Sequence, residues 1–237
     1  MLRFPEPLIP ARLLQRRQRF LAQVELPDGS RPWVHVPNSG ALTGCLSPGL
    51  PILLTAENSP HRKTPYTWRF AEGPAGWICI DTLAPNRLVA EALQGPGLPE
   101  FPRIKALKPE VTLPGGGRLD FVADLGGRLA FVEVKSVTWV EEGVALFPDG
   151  VTTRGRRHLQ ELAALVRQGH LAWQIFVVQR ADGVLLRPAW QVDPAYAQEL
   201  ARAHEAGVKI LVFREKVAPP EISLAEILPF DLRLTGL

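Results

Sequence analysis

A pair of adjacent glycines constrains the fold more than any other feature of this sequence, because it separates two apolar, strand-like segments. RLDFVADL ends at Leu125 and RLAFVEVKSVTWV begins at Arg128, with Gly126 and Gly127 between them. Glycines are favoured in two-residue β-hairpin loops because these loops need positive φ angles. The pattern therefore predicts a hairpin in which Leu125 pairs with Arg128, and this pairing fixes the register of both strands.

The predicted register places two carboxylates opposite each other. Counting back from the loop, Asp120 lies opposite Glu133, and Arg118 lies opposite Lys135. Because alternate residues of a strand share a face, Glu133 and Lys135 point to the same side of the sheet. Like charges about 5 Å apart repel by roughly 3 kcal/mol at an effective dielectric constant of about 20. Protonation, a nearby cation or a metal ion should therefore compensate this pair.

One interpretation of the pair is a site for a divalent cation. Two converging carboxylates with no neighbouring His or Cys suit Mg²⁺ or Mn²⁺ rather than zinc. Asp120 and Glu133 would hold the ion, with the main-chain carbonyl of Val134 as a further ligand, and Lys135 would orient or activate the attacking water. The alternative is a lattice of surface charges on a solvated sheet. The apolar flanking residues indicate a buried sheet, where charged side chains are rare unless they are paired or bind a ligand.

The first third of the chain has the pattern of a small β-barrel. Short apolar runs such as RFLAQVEL, PWVHV, PILLTA, TWRFA and WICI alternate with turn residues between residues 8 and 80. This pattern favours a barrel of about five strands, and an oligonucleotide-binding (OB) type barrel fits the size. We expect one domain over residues 1–82 and a second over residues 83–237.

The second part of the chain alternates strand-like and helix-like segments. Helices are predicted for PNRLVAEALQ (85–94), TTRGRRHLQELAALVRQG and DPAYAQELARAHEAG, and strands for EVTL (110–113), the two arms of the hairpin, LAWQIFVVQ and VKILVFR. Asp193 as N-cap, Pro194 at the first helical position and Gly207 as terminator delimit the last helix. This order indicates a mixed-sheet α/β domain with helices packed on the sheet.

Basic residues concentrate in two places and point to a polyanionic partner. Residues 1–80 carry nine Lys or Arg against five Asp or Glu. Three arginines, Arg154, Arg156 and Arg157, cluster with His158 where the second predicted helix begins. Helix N-termini bind phosphate, and arginine adds forked donors for it. A solvated basic turn is the alternative, and the neighbouring acids favour the phosphate interpretation.

Several classes of protein do not fit the sequence. There is no apolar run long enough to span a bilayer, and the proline- and charge-containing start does not resemble a signal peptide. Cys45 and Cys79 lie far apart and form no CxxC pair, so neither a disulfide framework nor a zinc knuckle is expected. We expect a cytoplasmic protein without a membrane partner, and the sequence leaves its oligomeric state open, a homodimer included.

Seven blocks of sequence, taken in order and spacing, resemble the sugar fermentation stimulation protein A family along nearly the whole chain. They are PLIPARLLQRRQRFLAQVEL, HVPNSG, SPHRKTPYTW, PNRLVAEAL, GRLDF, FVEVKSVT and ALFPDGVTTRGRRHLQEL. The resemblance implies an N-terminal OB fold and a C-terminal domain similar to PD-(D/E)xK nucleases. It also implies a DNA-binding protein linked to the regulation of sugar metabolism.

The resemblance assigns the nuclease motif to Asp120, Glu133 and Lys135, in agreement with the hairpin argument. Leu119 stands where the name of the motif would place proline. A further acid often joins such sites, and the resemblance implies Glu110, in preference to Glu91, as this third metal ligand.

Two hypotheses from different classes remain, and a third is weaker. The first is a Mg²⁺- or Mn²⁺-dependent nuclease, the second is a DNA-binding regulator that keeps the nuclease fold without turnover, and the third is an RNA- or nucleotide-binding protein. In the first, cations would follow the phosphates, and Tyr66, Trp68 or Trp33 would stack on bases unless they belong to the core. These cations are Arg16, Arg17, Arg19, Arg62, Lys63, Arg154, Arg156 and Arg157.

Overall fold

The computed structural model describes residues 1–57, 63–113 and 116–233, and in these ranges it contains sixteen strands and three helices. The strands are β1 (Leu2–Arg3), β2 (Leu8–Arg17), β3 (Leu21–Glu25), β4 (Trp33–His35), β5 (Pro51–Ala56), β6 (Tyr66–Gly73), β7 (Gly76–Cys79), β8 (Ala106–Thr112), β9 (Arg118–Asp124), β10 (Leu129–Val137), β11 (Val140–Glu141), β12 (Val144–Phe147), β13 (Leu171–Val178), β14 (Leu185–Pro188), β15 (Lys209–Ala218) and β16 (Glu221–Ile227). The helices are α1 (Ala84–Gln94), α2 (Thr153–Arg167) and α3 (Pro194–Glu205).

The N-terminal strands form the predicted barrel. They hydrogen-bond in the order β4-β3-β2-β5-β6-β7, and a parallel contact between His35 of β4 and Thr67 of β6 closes the sheet over five strands. Small and branched apolar side chains, together with Trp68, fill the interior. Trp68 is completely buried, and its indole nitrogen donates to the carbonyl of Phe70 at 2.8 Å. Trp68 is therefore part of the core and does not stack on bases.

The C-terminal part is a seven-stranded mixed sheet with helices on both faces. Its order is β1-β16-β15-β13-β10-β9-β8, and the central strands β10, β13 and β15 run parallel. Helices α2 and α3 pack on the face that carries Phe131 and Phe176, and α1 packs on the face that carries Val132 and Val134. Since side chains alternate along β10, Glu133 and Lys135 lie on the face covered by α2.

Three parts of the fold were not expected from the sequence. The first strand, β1, pairs with β16 at the edge of the large sheet, so residues Leu2–Arg3 belong structurally to the C-terminal part rather than to a first domain beginning at residue 1. Strand β16 follows β15 by an antiparallel turn. Strands β11, β12 and β14 form a separate small sheet. Strands β1, β11, β12 and β14, with two to four residues each, are too short to show a periodic pattern.

The start of α2 is fixed by a single carboxylate. Asp193 accepts a hydrogen bond from Tyr196 N at 2.9 Å as the N-cap of α3, and another from Thr152 N at 2.8 Å just before α2. Thr152 in turn accepts from Gly155 N at 3.0 Å and caps α2. The starts of α2 and α3 are thereby joined.

No helix in the described ranges combines the length and the apolar character that a membrane crossing needs.

Candidate functional site

The hairpin forms with the predicted register. Leu125 N donates to Arg128 O at 2.9 Å across the loop, and the strand pairs run from Leu129–Asp124 to Val132–Phe121. Beyond these pairs, the carboxylate of Asp120 accepts a hydrogen bond from Val134 N at 2.7 Å. The side chain of Asp120 thus binds the main chain of β10 directly beside Glu133.

Glu133 is a buried carboxylate with one saturated oxygen and one free oxygen. Its side chain is 4% exposed, and Oε1 accepts hydrogen bonds from Lys135 Nζ and from His158 Nδ1. Oε2 has no hydrogen-bond partner among the described residues. A buried carboxylate oxygen without a partner is costly unless a cation or a donor approaches it. The site therefore contains an unsatisfied acceptor of the kind that a hard cation would bind.

The expectation that no His neighbours the two carboxylates is wrong, because His158 from the basic start of α2 lies against Glu133. The side chain of His158 is 2% exposed, and Arg154 Nε donates to His158 Nε2 at 3.2 Å. Because Nε2 is an acceptor there, the proton of a neutral imidazole lies on Nδ1 and is donated to Glu133 Oε1. Arg154 and His158 are four residues apart and share one face of α2. The i, i+4 spacing in the sequence could have indicated that Arg154 and His158 interact, but only the packing of α2 on β10 shows that His158 contacts Glu133.

The two carboxylates have opposite pKa shifts. Burial, reinforced by the negative charge of Glu133, raises the pKa of Asp120 to about 6. Burial alone would raise the pKa of Glu133 as well, but the charge of Lys135 and the hydrogen bond from His158 outweigh it and hold that pKa below its ordinary value. Glu133 therefore ionises at a lower pH than Asp120. The charge of Asp120 is only partly offset, by the hydrogen bonds from Val134 N and the Asn86 side chain and by the charge of Lys135.

The raised pKa of Asp120 makes stability depend on pH in the metal-free protein. A carboxyl whose pKa is 3.8 when unfolded and about 6 when folded stabilises the fold fully below pH 3.8, and this contribution is lost as the pH rises through 6. Asp120→Asn is therefore expected to stabilise the protein by about 3 kcal/mol above pH 7 and to be neutral near pH 4. Denaturant unfolding in EDTA at pH 4 and pH 8 measures this, and an equal difference at both values would contradict the assignment.

A cleft of about 700 Å³ lies between the barrel and the large sheet and contains this site. Glu133, Lys135, His158 and Arg154 line it from the second domain, and Arg19 and its neighbours line it from the barrel, whereas Asp120 is not among the lining residues. Other lining residues include Arg16, Gln18, Asn38, Ser39, Gly40, Ala41, Thr82, Ser136, Thr138, Asp149 and Thr152. Four basic side chains thus face two carboxylates, Glu133 and Asp149, which suits a polyanion better than a neutral or cationic ligand.

Arg16 lies in the cleft but serves the fold. Its guanidinium donates to the main-chain carbonyls of Arg19, Asn38, Gly40 and Ala41 at 2.6–3.1 Å. Because these carbonyls occupy its donors, the side chain holds the β2–β3 turn against the segment from Asn38 to Ala41. We therefore correct its predicted role from phosphate contact to positioning of this rim.

The Asn38 turn also joins the barrel to the second domain. Asn38 Oδ1 accepts from Gly40 N at 2.7 Å, and its amide donates to Ile80 O at 3.0 Å. A Cβ atom on Gly40 would lie 2.6 Å from Asp149 Oδ2, so a larger residue here would displace the Asp149 side chain that accepts from Leu42 N. The turn is therefore a structural rim of the cleft.

The other predicted binding residues are dispersed. Arg19 and Arg154 line the cleft, whereas Arg17 and Lys63 are exposed on the barrel. Arg157 lies 3.6 Å from Glu161 on the surface of α2, and Arg156 is half-buried in the same turn. Arg62 lies outside the described residues. Trp33 and Tyr66 are each half-buried.

The third acid implied by the resemblance does not join the pair. Glu110 is 71% exposed and lies 3.6 Å from Arg118, and its positive φ of 51° turns it out of the strand alternation of β8. Glu91 is paired with the N-terminal ammonium group at 2.8 Å. Within the described ranges, no three His, Cys, Asp or Glu side chains converge as metal ligands. The predicted assignment of Glu110 is therefore wrong for this structure, and two carboxylates remain.

The remaining donor set fits Mg²⁺ or Mn²⁺. Asp120 carries a carboxylate whose charge is only partly offset, and Glu133 offers a buried oxygen without a partner among the described residues. Both ligands are hard oxygens of the type that these ions prefer.

Comparison with known proteins agrees with the fold and extends over both domains. Residues 14–80 match the family model described as the SfsA N-terminal OB domain, and residues 83–221 match the one described as the sugar fermentation stimulation protein RE domain. The OB fold predicted from the sequence is thereby confirmed.

Individual relatives match over nearly their whole length. A sugar fermentation stimulation protein homolog of Geotalea uraniireducens (strain Rf4) is 44% identical over 223 residues, which cover 94% of this chain and 96% of that protein. The homolog of Geobacter sulfurreducens is 44% identical over 225 residues, covering 95% and 97%. The solved structure of Pyrococcus furiosus SfsA in complex with Ca²⁺ superimposes with a TM-score of 0.86 at 27% identity, covering 98% of this chain and all of that one. On these matches, the chain belongs to the sugar fermentation stimulation protein family.

Proposed function

We propose that this protein is a nuclease that hydrolyses phosphodiester bonds of DNA with the help of Mg²⁺ or Mn²⁺. The observation that carries the proposal is the Oε2 of Glu133, which has no partner among the described residues; Glu133 lies beside Asp120 and lines a cleft with basic side chains. Buried charged groups with incomplete hydrogen bonding are concentrated at functional sites. The relative from Pyrococcus furiosus is described in complex with Ca²⁺, which supports a divalent cation in this fold.

In the proposed mechanism, Asp120 and Glu133 would hold the cation. When bound, such an ion neutralises charge on the phosphate and lowers the pKa of water. His158 fixes Glu133 by donating to Oε1, which leaves Oε2 for the ion. Lys135, bound to the same oxygen, places its ammonium group on the carboxylate face, where it orients water and offsets developing negative charge.

Other groups of the cleft position the strand. Arg154 uses Nε for His158 and has further guanidinium donors for a phosphate. Arg19 lines the same cleft from the barrel. Cys45 and Cys79 are buried free thiols, which suits the reducing cytoplasm in which we propose the protein acts.

The test is a cleavage assay on the purified protein. Single-stranded and duplex DNA and RNA are incubated with Mg²⁺, Mn²⁺, Ca²⁺ or EDTA, and products are separated on denaturing gels. We expect cleavage of at least one DNA substrate with Mg²⁺ or Mn²⁺ and none in EDTA. If no metal ion supports cleavage of any of these polymers, the enzymatic proposal fails.

One observation favours the alternative, a DNA-binding regulator that keeps the nuclease fold without turnover. Only two carboxylates converge in the described ranges, and Lys135 and His158 already bind one of them. In that case Glu133 would bind the cation for stability alone. Binding to DNA with the same affinity in EDTA and in Mg²⁺, together with no cleavage, would favour this alternative over the nuclease.

A further inference from the structure

Phe20 is the one exposed aromatic side chain in the described residues. The structure leaves 52% of its surface accessible, whereas every other Phe, Tyr or Trp in these ranges is buried or half-buried. A single exposed apolar residue is ordinary on a protein surface, so the position of the ring decides its meaning. Phe20 lies in the turn between β2 and β3, at the end of the barrel that meets the cleft.

The backbone that carries Phe20 is held on both sides. The guanidinium of Arg16 donates to the carbonyl of Arg19 at 2.6 Å and to that of Asn38 at 2.7 Å. The carbonyl of Phe20 itself accepts from Val36 N at 2.9 Å. Since the turn is fixed before any ligand arrives, contact with the ring costs little ordering of the backbone.

The turn separates two concave surfaces. Phe20 and Leu21 line a hollow of about 370 Å³, together with His35, Lys63 and Thr64. The preceding residues, Gln18 and Arg19, line the cleft that contains Glu133. The hollow and the cleft are therefore neighbours across one hairpin turn.

The charges around the turn match a polyanion. Arg17, Arg19 and Lys63 are exposed beside Phe20, and no Asp or Glu is among the described residues that line the hollow. Phosphates would meet these cations while a base meets the ring. Alternation of an aromatic face with basic side chains is the arrangement by which proteins hold unpaired nucleotides.

We propose that Phe20 stacks on an unpaired base of single-stranded DNA whose backbone continues past Arg19 into the cleft. The inference deepens the proposed function, on which it rests for its ligand, by naming the substrate class. A base inside a duplex already stacks on both neighbours, so its face is not available to a side chain. A base of a single strand offers its π-face to the ring at any sequence.

The test measures binding in EDTA, where no cleavage is possible. Fluorescein-labelled oligothymidylate and a duplex of the same length are titrated by anisotropy with wild type, Phe20→Ala and Phe20→Trp. Val184→Ala is the matched control, because Val184 is 56% exposed and does not line either concave surface. We expect Phe20→Ala to weaken single-strand binding by about 5- to 150-fold and duplex binding by less than about 2-fold. Phe20→Trp and Val184→Ala should bind like wild type.

An oligonucleotide with one abasic nucleotide at successive positions locates the stacked base. In wild type, an abasic nucleotide at one position should weaken binding. In Phe20→Ala, the same abasic substitution should cause no further loss of affinity. Unchanged single-strand affinity in Phe20→Ala, or equal losses for single strand and duplex, would overturn the proposal. Since these assays need no metal ion, their outcome does not depend on whether the protein cleaves DNA. If they show no stacking by Phe20, the proposal that the protein is a nuclease is unaffected.

Discussion

Glu133→Gln is expected to reduce the metal-dependent cleavage rate by more than about 10³-fold while DNA affinity in EDTA stays within about 3-fold of wild type. The substitution keeps the volume of the side chain but removes the charge that binds the cation, and such an ion supplies several kcal/mol of charge stabilisation. DNA affinity should persist because the phosphate contacts come from basic side chains elsewhere in the cleft.

The matched control is Glu226→Gln. Glu226 is a 61% exposed carboxylate bound to Arg214 at 2.8 Å on the far strand β16. Its neutralisation changes net charge by the same amount, so any general effect of charge on DNA binding appears in both variants. Cleavage by Glu133→Gln at more than about a tenth of the wild-type rate would contradict a role of Glu133 in metal-dependent chemistry.

Arg69→Met is expected to lower the unfolding temperature by about 6–20 °C. Arg69 Nη1 binds Asp81 Oδ2 at 2.5 Å, and Nε binds Thr55 Oγ1 at 3.0 Å. Asp81 is 6% exposed and also accepts from Leu83 N at 3.0 Å, where the chain leaves the barrel for α1. Removing one partner of a buried ion pair costs about 3–5 kcal/mol, which corresponds to that change in a chain of this size.

Arg31→Met provides the comparison for this variant. Arg31 binds Glu25 at 3.0 Å on the surface of the same barrel, and its side chain is 62% exposed. Exposed pairs contribute about 0–1 kcal/mol, so this variant should unfold within about 4 °C of wild type. Thermal unfolding followed by circular dichroism measures both. Equal midpoints for the two variants would show that the Arg69–Asp81 pair does not stabilise the junction of the domains.

The part of the site that follows from local rules was predictable. A two-residue loop sets the register by itself, so the contact of Asp120 with β10 beside Glu133 could be derived from Gly126 and Gly127. The three helices and the buried strand β13 followed from periodicity and capping residues. Their packing on the sheet then followed from the order of elements.

The parts that depend on contacts between distant segments were not predictable. His158 reaches Glu133 across 25 residues, because α2 crosses over to pack on β10. The same limit applies to Arg16, whose basic character indicated phosphate binding although its carbonyl partners lie in the turn at Asn38. Trp68 is an aromatic residue of the kind that stacks on bases, but it faces the barrel core, whereas Phe20 lies in a turn that the sequence pattern does not single out.

The prediction that Glu110 is the third metal ligand was wrong for a geometrical reason. Glu110 would stand opposite Asp120 if β8 alternated regularly, since Pro109 pairs with Phe121 and Val111 pairs with Leu119. Its positive φ instead turns the side chain outward to Arg118. A departure of one residue from the strand conformation is enough to remove a ligand, and sequence alternation does not show it.

The most direct test of the metal site is a crystal of this protein soaked in Mn²⁺ and measured at a wavelength where manganese scatters anomalously. We expect one anomalous peak in contact with Glu133 Oε2 and a carboxylate oxygen of Asp120, and no peak there in a crystal of Glu133→Gln treated in the same way. A fully soaked wild-type crystal without an anomalous peak between these two carboxylates, or an equal peak in the variant, would contradict the assignment of the site.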